Sequence, residues 1–327
     1  MLPAMKRAMV SMTLCALACA GPGAIQAHAQ AYPAKPIRMV VPVAAGGSSD
    51  IVGRLFGQRL SEQMGVAIFT DNRPGGTALV GSEALARAPA DGYTLLTIGV
   101  EFTLNPSLRK LPFDPMKDTT CVAQLTTSQY FLSTHPAIPV TPARQFIALA
   151  KSRPGQVTFG SSGTGGLNHV AGVLFQQMTG TRLVHVPYKS AGLAGIALMS
   201  GEIDFMFSNV ASAIVQVRAG KLRAIATTGR TRSPVAPEVP TLDESGVRGF
   251  VVTGFHLLLV PGATPADIVA KLNAETVKAL ESSAVRERLA SFGLEPVGTP
   301  PVQCAKFIQA QIARWAPVVK AGGIQVD

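Results

Sequence analysis

Short aliphatic runs alternate with amphipathic helical stretches along most of this 327-residue chain. The run Ile37–Val41 is typical of a buried strand, and apolar residues then recur at helical spacing over residues 51–64. The same order returns where an aliphatic run at 157–159 precedes a helical stretch at about 168–178. Strands that alternate with helices in this way pack as parallel sheets covered by helices. The sequence therefore predicts an α/β fold.

The first thirty or so residues have the pattern of a secretory signal peptide. Lys6 and Arg7 precede an uncharged run over residues 8–20, and two small-x-small cleavage motifs end at Ala29 and at Ala31. The apolar run is too short to cross a bilayer. We therefore expect a signal peptide over residues 1–29, cleaved near Ala29 or Ala31, and a periplasmic mature protein. Its length of roughly 300 residues favours two domains.

The charge of the chain excludes some partners and favours others. It has 29 Lys and Arg against 19 Asp and Glu, a formal net charge of +10. The basic residues are scattered singly and form no dense Lys/Arg cluster, so nucleic acid is not a predicted partner. A positive field instead favours encounters with small anions.

Two cysteines remain after removal of the signal peptide, Cys121 and Cys304. In an oxidising compartment they could form one disulfide. They lie far apart in sequence, and two separate buried thiols are the alternative. The sequence leaves both open.

Two loops of small residues join a predicted strand to a predicted helix, one in each half of the chain. They are residues 44–50 (AAGGSSD) and 160–166 (GSSGTGG). Glycines let the backbone approach a ligand, and helix N-termini present unpaired N–H groups to anions. Two such loops facing each other would bind a carboxylate through main-chain amides and hydroxyls. The alternative is that both loops only form tight turns and helix caps.

Two polar residues near these loops have both a structural and a functional interpretation. Asp50 can support the first turn of its helix, or it can receive an ammonium or amide group of a ligand. Asn209 follows a predicted strand at 203–207, at the position where open parallel sheets present ligand contacts. Its alternative role is to cap the helix that begins near Ala211.

The usual motifs of catalysis, cofactor binding and metal binding are missing. The loop at 160–166 lacks the Lys-Ser or Lys-Thr pair of a phosphate loop, Asn168 replaces the third glycine of a dinucleotide fingerprint, and the Gly-x-Ser-x-Gly spacing is absent. The histidines of the mature chain do not pair at metal-ligand spacing: His135, His169, His185 and His256. We therefore predict no enzyme activity, no cofactor and no metal.

Eight segments, in order along the chain, resemble the Bug family, the extracytoplasmic solute receptors of tripartite tricarboxylate transporters. They are 44–50 (AAGGSSD), 72–76 (NRPGG), 91–96 (DGYTLL), 111–115 (LPFDP), 185–189 (HVPYK), 219–224 (AGKLRA), 237–241 (PEVPT) and 261–265 (PGATP). The resemblance implies a type II periplasmic-binding-protein fold with a ligand cleft between two α/β lobes. Lobe 1 would comprise residues 30–122 and 228–327, and lobe 2 residues 123–227.

The resemblance also implies a ligand and a set of contacts. The ligand would be a small carboxylate such as a dicarboxylate, an acidic amino acid, an amide or an aromatic acid, which closure of the lobes would capture. The two loops of the family map onto Ala45, Gly46, Gly47, Ser48 and Asp50, and onto Ser161, Ser162, Gly163 and Thr164. His169, Tyr188 and Asn209 fall where the family lines its cleft or lobe interface, and packing is the alternative role of His169 and Tyr188.

This chain departs from the family at two positions. Ser208 stands where the family often has Asp, and His256 lies where a large aromatic residue is common. We expect His256 to help select an anionic ligand. The implied partners are the membrane components of a tripartite tricarboxylate transporter, served by a monomeric receptor. Two alternatives remain, a sensory receptor that presents its ligand to a signalling partner and a secreted serine hydrolase.

Overall fold

A computed structural model describes residues 32–140 and 142–326, and within them it has ten strands and ten helices. The strands are β1 Ile37–Val41, β2 Ile68–Asn72, β3 Thr94–Ile98, β4 Thr119–Thr134, β5 Val157–Ser161, β6 Leu183–Pro187, β7 Phe205–Asn209, β8 Arg223–Thr227, β9 Thr253–Pro261 and β10 Glu295–Pro296. The helices are α1 Ser48–Met64, α2 Leu79–Ala86, α3 Glu101–Leu108, α4 Ala143–Ser152, α5 Leu167–Thr179, α6 Ala191–Ser200, α7 Val210–Arg218, α8 Ala266–Glu281, α9 Ser283–Ser291 and α10 Pro301–Ala321. The predicted signal peptide and its cleavage site lie outside the described residues.

The strands form one continuous sheet in the order β2-β1-β3-β9-β4-β7-β5-β6, and β8 and β10 pair with β4. The α/β class predicted from the sequence is confirmed, but the sheet is mixed rather than parallel throughout. β1, β2 and β3 are parallel to one another, as are β5, β6 and β7, while β4 and β9 in the middle are antiparallel to their neighbours. Parallel pairs need helical crossovers, and these strands are the ones that alternate with helices along the chain.

The long strand β4 joins the two parallel groups. Its first eleven residues pair with β9, and its last five pair with β7. The chain thus builds β1–β3, crosses on β4, builds β5–β8 and returns on β9. The lobe boundaries expected at 122/123 and 227/228 stay a prediction, because the residues from Lys35 onward cluster as one compact unit.

The core is continuous across both parallel groups. Five buried phenylalanines contact one another with ring centroids 5.0–6.3 Å apart: Phe146, Phe175, Phe205, Phe207 and Phe250. Such aromatic pairs add about 0.5–1.5 kcal/mol each beyond the area that they bury. The last helix, α10, packs on α3, β4 and α5 and so covers both groups. No helix among the described residues combines the length and apolar character needed to cross a membrane.

A disulfide joins Cys121 in β4 to Cys304 in α10, with the two Cα atoms 5.9 Å apart. Both residues are buried. The structure therefore favours the paired state of the two that the sequence left open. The bridge fixes the first part of β4 to the helix that spans the two parallel groups.

Candidate functional site

A cavity of about 680 Å³ lies where the carboxyl ends of the two groups of parallel strands face each other. The first turns of α1 and α5 reach it, as do the ends of β3 and β7, the middle of β4 and the first residues of β9. Four of the residues predicted from the sequence line this cavity: Ser48, Ser162, Asn209 and His256. Open α/β sheets bind ligands at this place because helix N-termini and loop residues converge there.

The first loop ends in an unpaired helix N-terminus. Gly46 has φ +85°, a conformation that favours glycine, and Gly47 caps α1 with φ −70° and ψ 161°. Asp50 and Ile51 both donate their backbone N–H groups to the Gly47 carbonyl. Within the described part of the chain, the N–H groups of Ser48 and Ser49 have no acceptor. Ser48 lines the cavity, so these two donors are available to an anion there.

The second loop repeats this geometry in the other half of the protein. Gly166 caps α5 with φ −70° and ψ 160°, nearly the same angles as Gly47. The N–H groups of Leu167 and Asn168 likewise have no acceptor among residues 32–140 and 142–326, and both residues line the cavity. The Asn168 side chain holds the loop in place, since it accepts from the Ser162 hydroxyl at 2.8 Å and donates to the Phe207 carbonyl at 2.8 Å.

Asp50 supports the first loop and does not line the cavity. Its carboxylate accepts from the Gly46 N–H at 2.9 Å, from Arg54 Nε at 3.0 Å and from Asn72 Nδ2 at 2.8 Å. Burial alone would raise the pKa of Asp50, but these hydrogen bonds and the Arg54 charge lower it further than burial raises it. The geometry favours the structural role of Asp50, because both carboxylate oxygens already have partners.

Replacing Asp50 with Asn should destabilise the protein by about 1–3 kcal/mol, because one oxygen that accepts hydrogen bonds becomes an N–H₂ group facing other donors. Urea unfolding at pH 7 measures the loss. Asp267→Asn is the matched control, since Asp267 is also in the first turn of a helix but is exposed. It should cost only a few tenths of a kcal/mol to about 1 kcal/mol. Equal effects of the two changes would show that the Asp50 network contributes nothing.

His169 and His185 form a stacked pair behind the second loop, with ring centroids 3.7 Å apart and planes 6° apart. Gly165 N–H donates to His169 Nδ1 at 3.1 Å, and the Ser161 hydroxyl lies 2.6 Å from His185 Nε2. The pKa of both histidines is lowered to about 4, by burial in each case and for His185 also by the neighbouring His169. Neither histidine lines the cavity, and Ser161 is fully buried, so the Ser161–His185 contact cannot reach a substrate there.

His256 lines the cavity, and its Nδ1 lies 2.8 Å from the Thr126 hydroxyl on the neighbouring strand. Burial lowers the pKa of His256 to about 4, so the ring is neutral at pH 7 and contacts a ligand as a hydrogen-bonding group without charge. The remaining predicted positions do not line the cavity: Ala45, Gly46, Gly47, Ser161, Gly163, Thr164 and Tyr188. Tyr188 instead packs against a small apolar cluster that includes Ala194 and Met206.

Several cavity residues were not predicted from the sequence: Glu101, Ser128, Tyr130 and Asn168. Tyr130 pairs across strands with Asn209, and the two side chains are hydrogen-bonded. Asn209 Oδ1 also accepts from the Ala211 N–H and so caps α7. Burial, and next the charge of Glu101, raise the pKa of Tyr130 to about 12.

Ser208 also lines the cavity, and its buried hydroxyl has no partner among the described residues. Glu101 follows β3 at the sheet edge where ligand contacts are expected, which is the signal that could have identified it.

Two helix N-termini with unpaired amides that reach one cavity are typical of a solute-binding protein. Among the described residues there is also no group of three His, Cys, Asp or Glu side chains that could hold a metal ion.

Residues 52–324 match the model of the tripartite tricarboxylate transporter family receptor. The chain is 34% identical over 304 residues to the protein BugT of Bordetella pertussis, covering 91% of this chain and 92% of the relative. This chain therefore belongs to the tripartite tricarboxylate transporter receptor family, and the Bug-family resemblance is confirmed.

Solved structures of similar chains have the same fold. R. palustris Rpa4515 with adipate is 32% identical with a TM-score of 0.79, covering 90% of this chain and 100% of that one. MatC from Rhodopseudomonas palustris with bound malate is 32% identical with a TM-score of 0.76, covering 88% and 100%. The family consists of periplasmic binding proteins, so this chain is a binding protein and not an enzyme.

Proposed function

We propose that this protein is a monomeric periplasmic receptor that captures a small carboxylate by closure of two lobes around the cavity. It then delivers the ligand to the membrane components of a tripartite tricarboxylate transporter. The family, and the adipate and malate held by two similar proteins, support this function. The ligand contacts both helix ends at once only in the closed form. It therefore binds the closed form more tightly and shifts the open–closed equilibrium toward closure.

One observation carries the proposal: within the described part of the chain, the amides of Ser48, Ser49, Leu167 and Asn168 at the first turns of α1 and α5 have no acceptor. Residues from both turns line the same cavity. A carboxylate has two oxygens that accept such hydrogen bonds, and helix dipoles favour its charge at both positions. No Lys or Arg is among the described residues that line the cavity, so the backbone supplies most of the recognition of the anion.

Thermal unfolding of the mature protein against mono-, di- and tricarboxylates tests this function. A ligand at about a thousand times its Kd adds about 4 kcal/mol to the stability of the protein that binds it. We expect a rise of several degrees in Tm for at least one carboxylate, including acids related to malate and adipate. No shift with any carboxylate, in protein freed of bound solutes by unfolding and refolding, would contradict the proposal.

Replacing Ser48 with Pro removes one of the four amides while keeping the helix. Proline is favourable at the first helical position, and Gly47 already has the extended conformation that a residue before proline requires. Loss of one hydrogen bond to a charged ligand should weaken binding by about ten- to hundredfold. Ser48→Ala removes only the hydroxyl, so it separates the two contributions. Equal calorimetric affinities of the Pro and Ala variants would exclude a role for the amide.

A further inference from the structure

Glu101 is the only residue with a carboxylate among the described residues that line the cavity, and no Lys or Arg lines it. The one histidine there, His256, is held neutral by burial, which lowers its pKa to about 4. Two negative charges in one cleft repel each other, so an anionic ligand and the Glu101 carboxyl in its ionised form disfavour each other. Glu101 therefore needs an explanation beyond the capture of a carboxylate.

The Glu101 carboxylate has no cation as a partner within the described part of the chain. Glu101 is the first residue of α3, and its side chain accepts only from its own backbone N–H. It is half-buried, since it faces the cavity but is surrounded by protein on its other sides. Burial raises the pKa of this carboxyl, which is the expected result of removing it from water without a counter-charge. A ligand that supplies the missing positive charge would remove this penalty.

The carboxylate lies beside the unpaired N-terminus of α1. Both groups lie next to Gly99. A Cβ atom placed on Gly99 would be 2.7 Å from Glu101 Oε2 and 3.6 Å from the hydroxyl of Ser49, the second residue of α1. Glu101 Oε2 and the Ser49 hydroxyl therefore lie within about 6 Å of each other, at the unpaired first turn of α1. The ammonium and carboxylate groups of an α-amino acid are bonded to the same carbon atom, so one such ligand can reach Glu101 and the first turn of α1 together.

The neighbours of Glu101 are also acceptors or neutral groups. The Tyr130 hydroxyl is close enough for the Glu101 charge to help raise the pKa of that phenol to about 12, so Tyr130 is neutral. The hydroxyl of Ser128 and the backbone carbonyl of Phe255 lie at the same wall, near Gly254 and Gly99 respectively. The cavity thus has donors at its two helix ends and acceptors around Glu101.

We propose that the ligand is an amino carboxylate whose ammonium group binds to Glu101, while its carboxylate binds to the amides at the first turns of α1 and α5. This inference rests on the proposed function and narrows its ligand class. Glu101 is then the residue that distinguishes amino acids from acids with the same carbon skeleton and no amino group.

Isothermal titration calorimetry with matched pairs of ligands tests the proposal at pH 7. The pairs are aspartate and succinate, glutamate and glutarate, alanine and propionate, and phenylalanine and 3-phenylpropanoate. For the pair that binds best, we expect the amino member to bind about ten- to hundredfold more tightly than the plain acid, as for other hydrogen bonds between charged groups. Glu101→Gln should reduce this preference to about threefold or less, because the amide keeps the shape but loses the charge.

Glu281→Gln is the control for the loss of one negative charge, because Glu281 is exposed at the end of α8. It should leave the preference unchanged. Plain acids that bind the wild-type protein as tightly as their amino partners would overturn the proposal, and this comparison needs no variant. A preference that survives in Glu101→Gln would also overturn it. If no member of any pair binds, the proposed carboxylate function fails together with this inference, whereas binding of plain acids alone contradicts only this inference.

Discussion

Lowering the pH from 7 to 5 is expected to reduce the free energy of unfolding by roughly 3–5 kcal/mol. Burial lowers the pKa of His169, His185 and His256 in the folded protein to about 4, against an ordinary value of 6.5. Between pH 6.5 and pH 4 the unfolded chain therefore binds protons that the folded protein does not. Stability falls as the pH falls through this window, and the effect levels off below pH 4.

Urea unfolding at pH 7 and at pH 5 measures this loss directly. His256→Gln should make this loss of stability smaller by about 1–2 kcal/mol, because the unfolded variant has one fewer of the three histidines that become protonated only on unfolding. The matched control is His135→Asn, which removes a histidine that belongs to neither buried site. It should leave the difference between the two pH values unchanged. A wild-type protein that is equally stable at pH 7 and pH 5 would contradict the neutral, buried state of these histidines.

Removing the disulfide between Cys121 and Cys304 should cost about 2–5 kcal/mol. The bridge spans 183 residues of sequence, so it strongly restricts the unfolded chain. It also ties β4 to α10, the helix that covers both groups of parallel strands. Both sulfur atoms are buried, so we expect reduction to require a strong reductant or partial unfolding.

Comparison of the oxidised and reduced wild-type protein in urea isolates the bond without changing any side chain. The reduced protein should unfold at a clearly lower urea concentration. Thiol labelling of the denatured, unreduced mature protein should detect no free cysteine. Two labelled thiols, or the same midpoint with and without reductant, would show that the pairing contributes nothing to stability.

The two glycine-rich loops before α1 and α5 could be predicted from the sequence because their geometry is local. A strand, two or three glycines and a helix start lie within a dozen residues, and the cap angles of Gly47 and Gly166 are nearly identical. The alternation of strands and helices likewise fixed the α/β class, and the bounds of β1 and α5 agree closely with the expected ones.

The length of β4 is not predicted by the sequence, because its aliphatic pattern indicates a strand only over residues 122–125, whereas the structure has Thr119–Thr134. The added part contains buried polar residues such as Thr126, Ser128 and Ser133, which weaken the hydrophobic pattern. Helix α3 was missed as well, because Pro106 lies inside it and packing against α10 supports it. Tertiary contacts override local propensity in both elements.

On the acceptor side of the cavity only Asn209 was predicted, from its place after a strand. Glu101 and Tyr130 come from the start of α3 and from β4, which meet at the cavity only because β4 joins the two groups of strands. The spacing of residues along the sequence does not show which of these elements contact one another in the fold. Asp50 was predicted as a candidate ligand contact, but it does not line the cavity. Both of its carboxylate oxygens instead accept hydrogen bonds that hold the first loop in place.

The most direct test of carboxylate capture by the two helix ends is an NMR titration of the ¹⁵N-labelled protein. The carboxylate that raises Tm most would be added while the backbone amide signals of Ser48, Ser49, Leu167 and Asn168 are followed. We expect all four amide protons to shift downfield together at one affinity, because each donates to the charged ligand in the closed form. Shifts at only one of the two helix ends, or at neither, would contradict the account.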